Sequence, residues 1–293
     1  MNRYTIFTDG GVDLPETFWK ETGVRGLPMD YLLDGESHTY DPTENRQHTC
    51  RKFYSRLAES KSVSTSQITP FAFTEAFESV LREGRDVMYC GFSGGLSSTF
   101  QVAQSVARAL KETYPDRTVR CVDTKGAAAG GGLLVRRAAD NQRKGMNLED
   151  NARDVELMVP NLCHWFTVGD LDFLKRGGRV SPAVAFVGGK LNIKPVLCVD
   201  GDGRLVVSAK IRGMNAAMKW MLEKAKAQLP ATDPVEIAVV YGGQKETAQE
   251  LARMVQQAIP NAQPELSILT PIIGAHTGPD ILALCYLSKD PQR

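Results

Sequence analysis

The stretch D-V-M-Y-C-G-F-S-G-G-L-S-S-T-F-Q at residues 86–101 decides the fold of this chain. Residues 87–92 are an apolar run of strand length, and the triplet S-G-G at 93–95 interrupts it. From Ser97 onward the apolar residues recur at helical spacing. Strand, glycine turn and helix therefore follow one another, and the N-terminus of such a helix attracts anions. With the hydroxyls of Ser93 and Ser97 beside it, the turn predicts a site for a carboxylate, a phosphate or an oxyanion.

The composition is that of an ordinary globular chain with a sizeable core. The 293 residues suggest about two domains; 42% are hydrophobic, 24% are charged, and the formal net charge is +1. Such a chain has no broad electrostatic footprint for nucleic acid or for an anionic membrane. No uncharged apolar stretch reaches membrane-spanning length, and the N-terminus lacks a signal-peptide pattern. We therefore expect a cytoplasmic protein without nucleic-acid binding or stable membrane insertion.

Neither the cysteines nor the glycines indicate a metal centre or a cofactor. The six cysteines are scattered without a C-x-x-C pair, and most lie in apolar runs, as buried thiols do. The glycine-rich turn at 126–132 lacks the G-x-G-x-x-G spacing of a dinucleotide site. We therefore expect no metal and no cofactor.

Strands and helices alternate along the first 160 residues, which predicts an N-terminal α/β lobe of residues 1–160 with a wound, mostly parallel sheet. Asp13 is expected to cap the first helix, and a later helix is expected to begin near Leu133. Residues 31–49 are polar and are predicted to be irregular. The predicted strands lie at residues 4–8, 24–29, 87–92 and 119–123.

The pattern changes near residue 160, where a second α/β lobe of residues 161–293 is predicted to begin. Residues 193–199 and 205–210 are apolar runs on either side of D-G-D-G at 200–203, which is a strong hairpin signal. This lobe is therefore expected to contain antiparallel strands.

A serine hydrolase or esterase is the alternative function that the motifs allow. G-F-S-G-G at 91–95 matches the nucleophile elbow G-x-S-x-G, and its strand–turn–helix context is the expected one. His276 follows near the end of the chain with aspartates between, so the order Ser…Asp…His is available for Ser93 and His276. Against this function, no H-G-G-G-type oxyanion segment precedes the elbow.

Each remaining polar candidate also has a simple structural explanation. Thr65 lies in a hydroxyl-rich loop before a predicted helix, where it could be solvated or help to cap the helix. Ser97 could be only a helix cap, and His276 could be a turn residue bonded to backbone. Position along the chain does not by itself bring these side chains together.

Motifs along nearly the whole chain resemble those of the DegV family, bacterial fatty-acid-binding proteins that include the lipid-carrying subunit of fatty acid kinase. The most specific block is L-D-F-L-K-R-G-G-R-V-S at 171–181, with L-N-I-K-P behind it at 191–195. The other matching blocks are T-D-G-G-V-D-L at 8–14, T-S-Q at 65–67, S-G-G-L-S-S-T-F-Q at 93–101, V-D-T-K at 122–125, K-I-R-G at 210–213 and H-T-G-P at 276–279.

The resemblance implies two α/β lobes that hold one long-chain fatty acid in a tunnel between them. The residues that it implies for binding the carboxylate are Thr65, Ser93, Ser97 and His276. This chain would then be a binding subunit rather than an enzyme on its own.

The resemblance also implies a partner, a separate ATP-dependent fatty acid kinase. This kinase would phosphorylate the bound carboxylate and so supply an acyl phosphate for phospholipid synthesis. Arg179, Arg212 and, less closely, Arg176 match family positions near the carboxylate mouth or on the kinase-facing surface, where they would stabilise the phosphate.

Three glycines depart from the family pattern. Gly10, Gly11 and Gly94 stand where serine or threonine is usual. We therefore expect fewer hydroxyl groups around the carboxylate than the family usually provides. Either backbone N–H groups or water take their place, or the ligand differs.

Overall fold

The computed structural model describes residues 4–169, 171–181, 192–230 and 234–292, so Leu191 of the L-N-I-K-P block lies outside it. Its strands are β1 (Tyr4–Asp9), β2 (Arg25–Leu27), β3 (Met29–Leu33), β4 (Glu36–Tyr40), β5 (Val63–Thr65), β6 (Asp86–Gly91), β7 (Val119–Asp123), β8 (Leu162–Thr167), β9 (Ile193–Val199), β10 (Leu205–Arg212), β11 (Val235–Tyr241), β12 (Ala262–Ile268) and β13 (Leu282–Leu287). Its helices are α1 (Glu16–Thr22), α2 (Arg46–Leu57), α3 (Pro70–Leu81), α4 (Thr99–Thr113), α5 (Ala128–Arg143), α6 (Leu148–Met158), α7 (Asp172–Arg176), α8 (Met214–Gln228), α9 (Lys245–Ala258) and α10 (Pro271–Thr277).

The N-terminal strands form the predicted parallel sheet, in the order β2-β1-β6-β7. β1 is buried along its whole length and β6 along nearly all of it. Helices α3 and α6 both pack on β6, which is why this strand is almost continuously apolar. The carboxyl ends of parallel strands meet at one edge of the sheet, where ligands commonly bind. The central turn, defined here as residues 92–98, follows β6 at this edge.

The C-terminal strands form a mixed sheet in the order β10-β9-β8-β13-β11-β12. Only the β11–β12 pairing in this sheet is parallel, so the prediction of antiparallel strands is confirmed. The predicted hairpin is also present, with Leu205 opposite Val199. Residues 200–204, which connect these strands, are called the hairpin tip below.

A third, antiparallel sheet with the order β4-β3-β5 occupies a region that the sequence analysis treated as irregular. That prediction was wrong. Asp34 and Gly35 connect β3 to β4 with φ angles of 52° and 86°, the left-handed pair that a tight hairpin turn requires. The D-G dipeptide between two short strand-like runs was the signal that could have identified it. Strand β5 pairs with β3 and ends at Thr65.

Two predicted helix starts also need correction. Pro15, not Asp13, occupies the N-cap position of α1, and Asp13 is buried away from that helix. Helix α5 begins at Ala128 rather than near Leu133. Its glycines, which were expected to form a turn, are helical residues in close contact with their neighbours. A Cβ atom on Gly130 would lie 2.2 Å from Nε2 of His164, and one on Gly132 would lie 2.6 Å from the Asp13 carbonyl oxygen.

Helix α10 packs against α2, α7 and the strands β3 and β5 of the three-stranded sheet. Strands up to β7 belong to the parallel and three-stranded sheets, and strands from β8 onward belong to the mixed sheet. The exact boundary near residue 160 stays a prediction. Within the described ranges, every helix is too short or too polar to cross a lipid bilayer.

Candidate ligand-binding site

A cavity of about 260 Å³ lies between the parallel sheet and the mixed sheet. Most of its lining is apolar. The mixed sheet contributes one face, with Phe166 of β8, Val240 of β11 and Ala283 of β13. The opposite wall includes Phe92 and Leu96 of the central turn. The cavity can therefore enclose a flexible apolar chain.

Polar side chains in the cavity wall are grouped around Thr65. The predicted residues Thr65, Ser97, Arg179 and His276 all line the cavity. The Thr65 hydroxyl is 2.8 Å from Nε2 of His276. The guanidinium of Arg179 donates from Nε to the Leu96 carbonyl, 3.1 Å away and next to Ser97 in the chain. The fold thus brings together four side chains that are far apart in sequence.

His276 is neutral at physiological pH. Burial, followed by the charge of Arg179, lowers the pKa of His276 from 6.5 to about 4. Its Nδ1 atom is buried and has no hydrogen-bond partner among the described residues. Gly177 lies against this ring, since a Cβ atom at that position would be 2.3 Å from Nδ1. The ring is therefore held by Thr65 on one side and by close packing on the other.

Arg179 is a half-buried cation in the cavity wall. Burial lowers its pKa, but an arginine stays protonated under ordinary conditions. Besides the Leu96 carbonyl, its guanidinium donates to the Gly177 carbonyl. These backbone bonds fix the cation close to Ser97 and His276, where it can attract an anionic group.

The structure places Ser93 outside the cavity lining. This serine is fully buried, and its hydroxyl donates to the Gly203 carbonyl at 2.7 Å and accepts from the Gly95 amide at 3.2 Å. The expectation that Ser93 binds the carboxylate is therefore not supported by this geometry. Its hydroxyl instead joins the central turn to the hairpin tip.

The amides of the central turn are also less available than the sequence suggested. Gly94 donates to the Asp123 carboxylate, and the amides of Leu96 and Ser97 both donate to the Ser93 carbonyl. The N–H groups of the predicted helix-terminus site are therefore largely used in hydrogen bonds within the protein and are not available to an anion. A carboxylate in the cavity must rely mainly on side-chain donors.

Two carboxylates, one buried and one half-buried, hold this edge of the sheet, and sequence reasoning missed their role. Asp9, at the end of β1, accepts bonds from the Gly11 amide, the Phe92 amide and the Tyr89 hydroxyl. Burial raises the pKa of Asp9. Asp123, at the end of β7, accepts from Gly94 and Lys125. The signal that could have revealed them is an aspartate at the end of both β1 and β7, since the carboxyl ends of parallel strands lie at one edge of the sheet.

Arg176 and Arg212 are exposed and lie outside the cavity lining. The guanidinium of Arg176 lies over the ring of Phe173, 4.6 Å from its centroid. Arg212 ends β10, opposite Ile193. Neither residue contributes to the cavity wall, so their predicted role at a kinase-facing surface stays a prediction.

The geometry argues against a Ser93–His276 catalytic dyad. The Ser93 hydroxyl is bonded to Gly203 and Gly95, whereas His276 is bonded to Thr65. A nucleophilic serine needs its base within hydrogen-bond reach and an exposed hydroxyl. Ser93 has neither in this arrangement.

The three glycines that depart from the family pattern do not line the cavity. A Cβ atom on Gly11 would lie 2.8 Å from the Phe92 ring, and one on Gly94 would lie 2.8 Å from the Asp123 carboxylate. A Cβ atom on Gly10 would lie 3.1 Å from the Tyr40 ring. These glycines lie in close-packed turns. Their lack of hydroxyl groups therefore does not remove hydroxyls from the head-group site, as had been expected.

Five further polar residues line the cavity without having been predicted as site residues: Ser66, Gln67, Ser98, His164 and Thr277. Ser66 and Gln67 follow Thr65 directly and are exposed, which places an opening of the cavity beside Thr65. His164 on β8 is buried, and its Nε2 lies 3.1 Å from the Ala127 carbonyl. A strand histidine has no distinctive sequence signal, so it could not have been found in advance.

Comparison with known proteins identifies the family. The family model described as "Uncharacterised protein, DegV family" matches residues 3–289. A DegV domain-containing protein of Clostridium perfringens is 34% identical over 99% of this chain and 100% of its own length.

Solved structures agree with this match. A DegV family protein from Thermus thermophilus, described for its fatty acid binding, has a TM-score of 0.85 and 30% identity, covering 98% of this chain and 99% of that one. A fatty acid binding DegV family protein from Streptococcus agalactiae has a TM-score of 0.85 and 28% identity, covering 99% of this chain and 100% of that one. In sequence and in fold, this chain belongs to the DegV family.

Proposed function

We propose that this protein binds one long-chain fatty acid in the cavity and presents its carboxylate to a separate ATP-dependent kinase. The observation that carries the proposal is an apolar cavity of about 260 Å³ with polar side chains grouped around Thr65. The similar proteins from Thermus thermophilus and Streptococcus agalactiae, both described as binding fatty acids, support it.

The tail would supply most of the affinity. Burying about a dozen methylenes at roughly 0.8 kcal/mol each gives on the order of 10 kcal/mol before the cost of ordering the chain. A hydrogen bond to an ionised carboxylate adds about 1.5–3 kcal/mol. The apolar wall therefore sets the affinity, and the polar group around Thr65 sets the orientation.

Thr65 is the proposed principal donor to the carboxylate. A neutral imidazole can donate from one nitrogen only. If Nε2 of His276 carries the proton and donates to Thr65, the threonine hydroxyl is left to donate to the ligand. A carboxylate beside Thr65 favours this tautomer, because it needs a donor and cannot itself donate. The Arg179 cation would complete the head-group site. The Ser97 hydroxyl donates to the Thr99 hydroxyl at 3.0 Å and would join the site by turning this donor to the ligand.

Phosphoryl transfer would occur at the mouth of the cavity. A carboxylate oxygen attacks the γ-phosphorus of ATP, the bond between that phosphorus and the β-bridging oxygen breaks, and ADP leaves with its electron pair. Arg179 would meet the developing negative charge from within the site. The exposed Arg176 and Arg212 would contact the kinase or the phosphate when the kinase docks.

Arginine substitutions test the presentation step. Arg212→Ala and Arg176→Ala should leave the Kd for oleic acid within about twofold and lower the rate of acyl phosphate formation at least about tenfold. The assay uses a purified bacterial fatty acid kinase with ATP. Arg108→Ala, on the exposed surface of α4, is the matched control. A large loss of affinity with normal turnover would contradict the assigned roles.

A further inference from the structure

The hairpin tip sits on the central turn and closes one side of the cavity. Val199 and Leu205, the residues immediately flanking the tip, both line the cavity. Across from them the central turn contributes Leu96 and Ser97 to the same lining. Contact between tip and turn therefore separates this part of the cavity from solvent.

Side chains from two segments hold the tip: Ser93 of the central turn and Lys125, which follows β7. The Ser93 hydroxyl donates to the Gly203 carbonyl at 2.7 Å, and the Lys125 ammonium donates to the Gly201 carbonyl at 2.6 Å. The backbones also approach closely, since a Cβ atom on Gly95 would lie 2.5 Å from the Asp202 carbonyl oxygen. Both hydrogen bonds end on main-chain carbonyls of the tip, so they hold its backbone regardless of its side chains.

The tip is a turn that is held together by its own hydrogen bonds. Oδ1 of Asp200 accepts from the amides of Asp202 and Arg204, each at 2.9 Å. Gly203 has a φ of 76°, which suits glycine, and its amide donates to the Asp200 carbonyl at 3.0 Å. The tip therefore keeps its shape through its own bonds, while Ser93 of the central turn and Lys125 after β7 hold it at the edge of the parallel sheet.

We infer that the hairpin tip is the gate through which the ligand enters and leaves, and that Ser93 and Lys125 are the clasp that keeps it closed. The inference rests on the proposed fatty-acid binding. Besides the opening at Thr65, the tip is a part of the cavity rim that side-chain hydrogen bonds hold in place. Displacing the tip breaks two hydrogen bonds and exposes Val199 and Leu205, without disturbing the parallel sheet beneath.

A clasp has a kinetic signature that differs from that of a ligand contact. The clasp bonds exist in the closed protein with or without ligand and are broken while the ligand passes. Removing them speeds association and dissociation by the same factor, so the Kd stays constant. If Ser93 bound the carboxylate instead, its loss would speed dissociation alone and weaken the Kd.

Stopped-flow measurements with cis-parinaric acid, a fluorescent fatty acid, test the gate. Ser93→Ala and Lys125→Met should each raise both rate constants about fivefold, the factor expected for one hydrogen bond of ordinary net strength. The double variant should raise both further, with the Kd within about twofold of wild type. Unchanged rates, or a rise in dissociation alone, would overturn the inference.

Matched controls and a second readout separate the gate from general instability. Ser288 is a buried serine that donates to the Asn161 carbonyl, and Lys111 donates to the Pro115 carbonyl; neither lines the cavity. Ser288→Ala and Lys111→Met should leave both rate constants unchanged.

Amide hydrogen exchange of the ligand-free protein tests the clasp independently of ligand binding. The tip packs on the central turn at Gly95, so exchange at residues 94–97 should accelerate in Lys125→Met but not in Lys111→Met. Equal exchange in these two variants would refute the clasp. A wild-type protein that binds no fatty acid would contradict the proposed function instead, while this exchange measurement would still decide on the clasp.

Discussion

Thr65 is the residue on which head-group binding depends most directly. It lies where β5 ends at the cavity opening, and its hydroxyl is held by His276. Its neighbour Ser64 is exposed and does not line the cavity, because successive strand residues face opposite sides. The two hydroxyls therefore form a natural pair of test and control.

Thr65→Val should weaken the binding of oleic acid by about 10- to 100-fold, because it removes a hydrogen bond to an ionised carboxylate and keeps the shape of the side chain. Isothermal titration calorimetry of delipidated protein measures the loss. Ser64→Ala should bind like wild type. Equal affinities for Thr65→Val and wild type would mean that the carboxylate lies elsewhere.

His276 should make stability fall at acid pH. Its pKa is about 4 in the folded protein and 6.5 when unperturbed, so between these values the unfolded chain binds more protons. As pH falls from about 6.5 towards 4, wild type should lose up to about 3 kcal/mol of unfolding free energy relative to His276→Gln. Urea unfolding across this range measures the difference.

The matched control for this experiment is His48→Gln, on the exposed side of α2. The difference between wild type and His276→Gln should change steadily across the pH range, while that between wild type and the control should not. A constant difference for His276→Gln would show that the imidazole is not buried as described.

At the level of single residues, the sequence indicated which side chains could bind an anion better than it indicated which residues those side chains contact. Thr65, Ser97, Arg179 and His276 could be chosen through family motifs, and the fold brings them together at the cavity. Ser93 carried an equally strong motif, yet its hydroxyl points to the Gly203 carbonyl. That bond joins residues 110 positions apart, and nothing in either local sequence encodes it.

At the level of elements, strand alternation explains how the mixed sheet builds the cavity. On β13, Ala283 and Cys285 line the cavity, while Leu282 and Leu284 do not. Helix α8 packs on β13 and β8 and covers the sheet on the other side. Small residues on the cavity face leave room for a ligand, and larger ones on the opposite face fill the core.

Ala283→Leu should narrow the cavity and shift its preference to shorter chains. Each methylene that can no longer be buried costs about 0.8 kcal/mol, so the Kd for stearic acid should rise more than that for myristic acid. Competition against cis-parinaric acid gives both values. Thermal unfolding without ligand should show no loss of stability, because the added atoms fill empty space; an equal loss of affinity for both acids would contradict this role.

Elements with strong local signals could be predicted from sequence, and those with mixed signals could not. β11, at Val235–Tyr241, and the hairpin around 200–203 were found because apolar runs and D-G pairs specify them locally. The β3–β4 hairpin was missed although D-G at 34–35 marks its turn, because apolar and polar residues alternate in its strands. Strand β5, more than 20 residues away, pairs with β3, and no local signal encodes that pairing.

At the scale of the whole molecule, a buried ion pair ties the N-terminal region to the mixed sheet. Arg46 lies 3.5 Å from Asp13 and donates to the Ser267 hydroxyl and the Ile268 carbonyl. Asp13 also accepts from the Thr270 amide at the start of α10, which carries His276. Burial, opposed by Arg46, raises the pKa of Asp13 to about 6.

Arg46→Met should destabilise the protein by about 3–5 kcal/mol at pH 8, because it leaves a buried carboxylate without its partner. The loss should be smaller at pH 5. There Asp13 is protonated, since its folded pKa is raised and rises further without Arg46, so the ionisation penalty disappears. Urea unfolding at both pH values measures this.

Arg143→Met is the control for the ion pair. Arg143 forms a surface pair with Asp140 at 2.8 Å, which is expected to contribute less than about 1 kcal/mol. An Arg46→Met loss that is small, or equal at both pH values, would contradict the account of a buried and coupled pair.

Denaturing extraction of the purified protein, expressed in bacteria, followed by mass spectrometry of the released lipid, tests the central claim most directly. The account predicts one long-chain fatty acid for each chain, and little of it in Thr65→Val. A folded wild-type protein that carries no fatty acid, and takes up none when oleic acid is supplied, would contradict it.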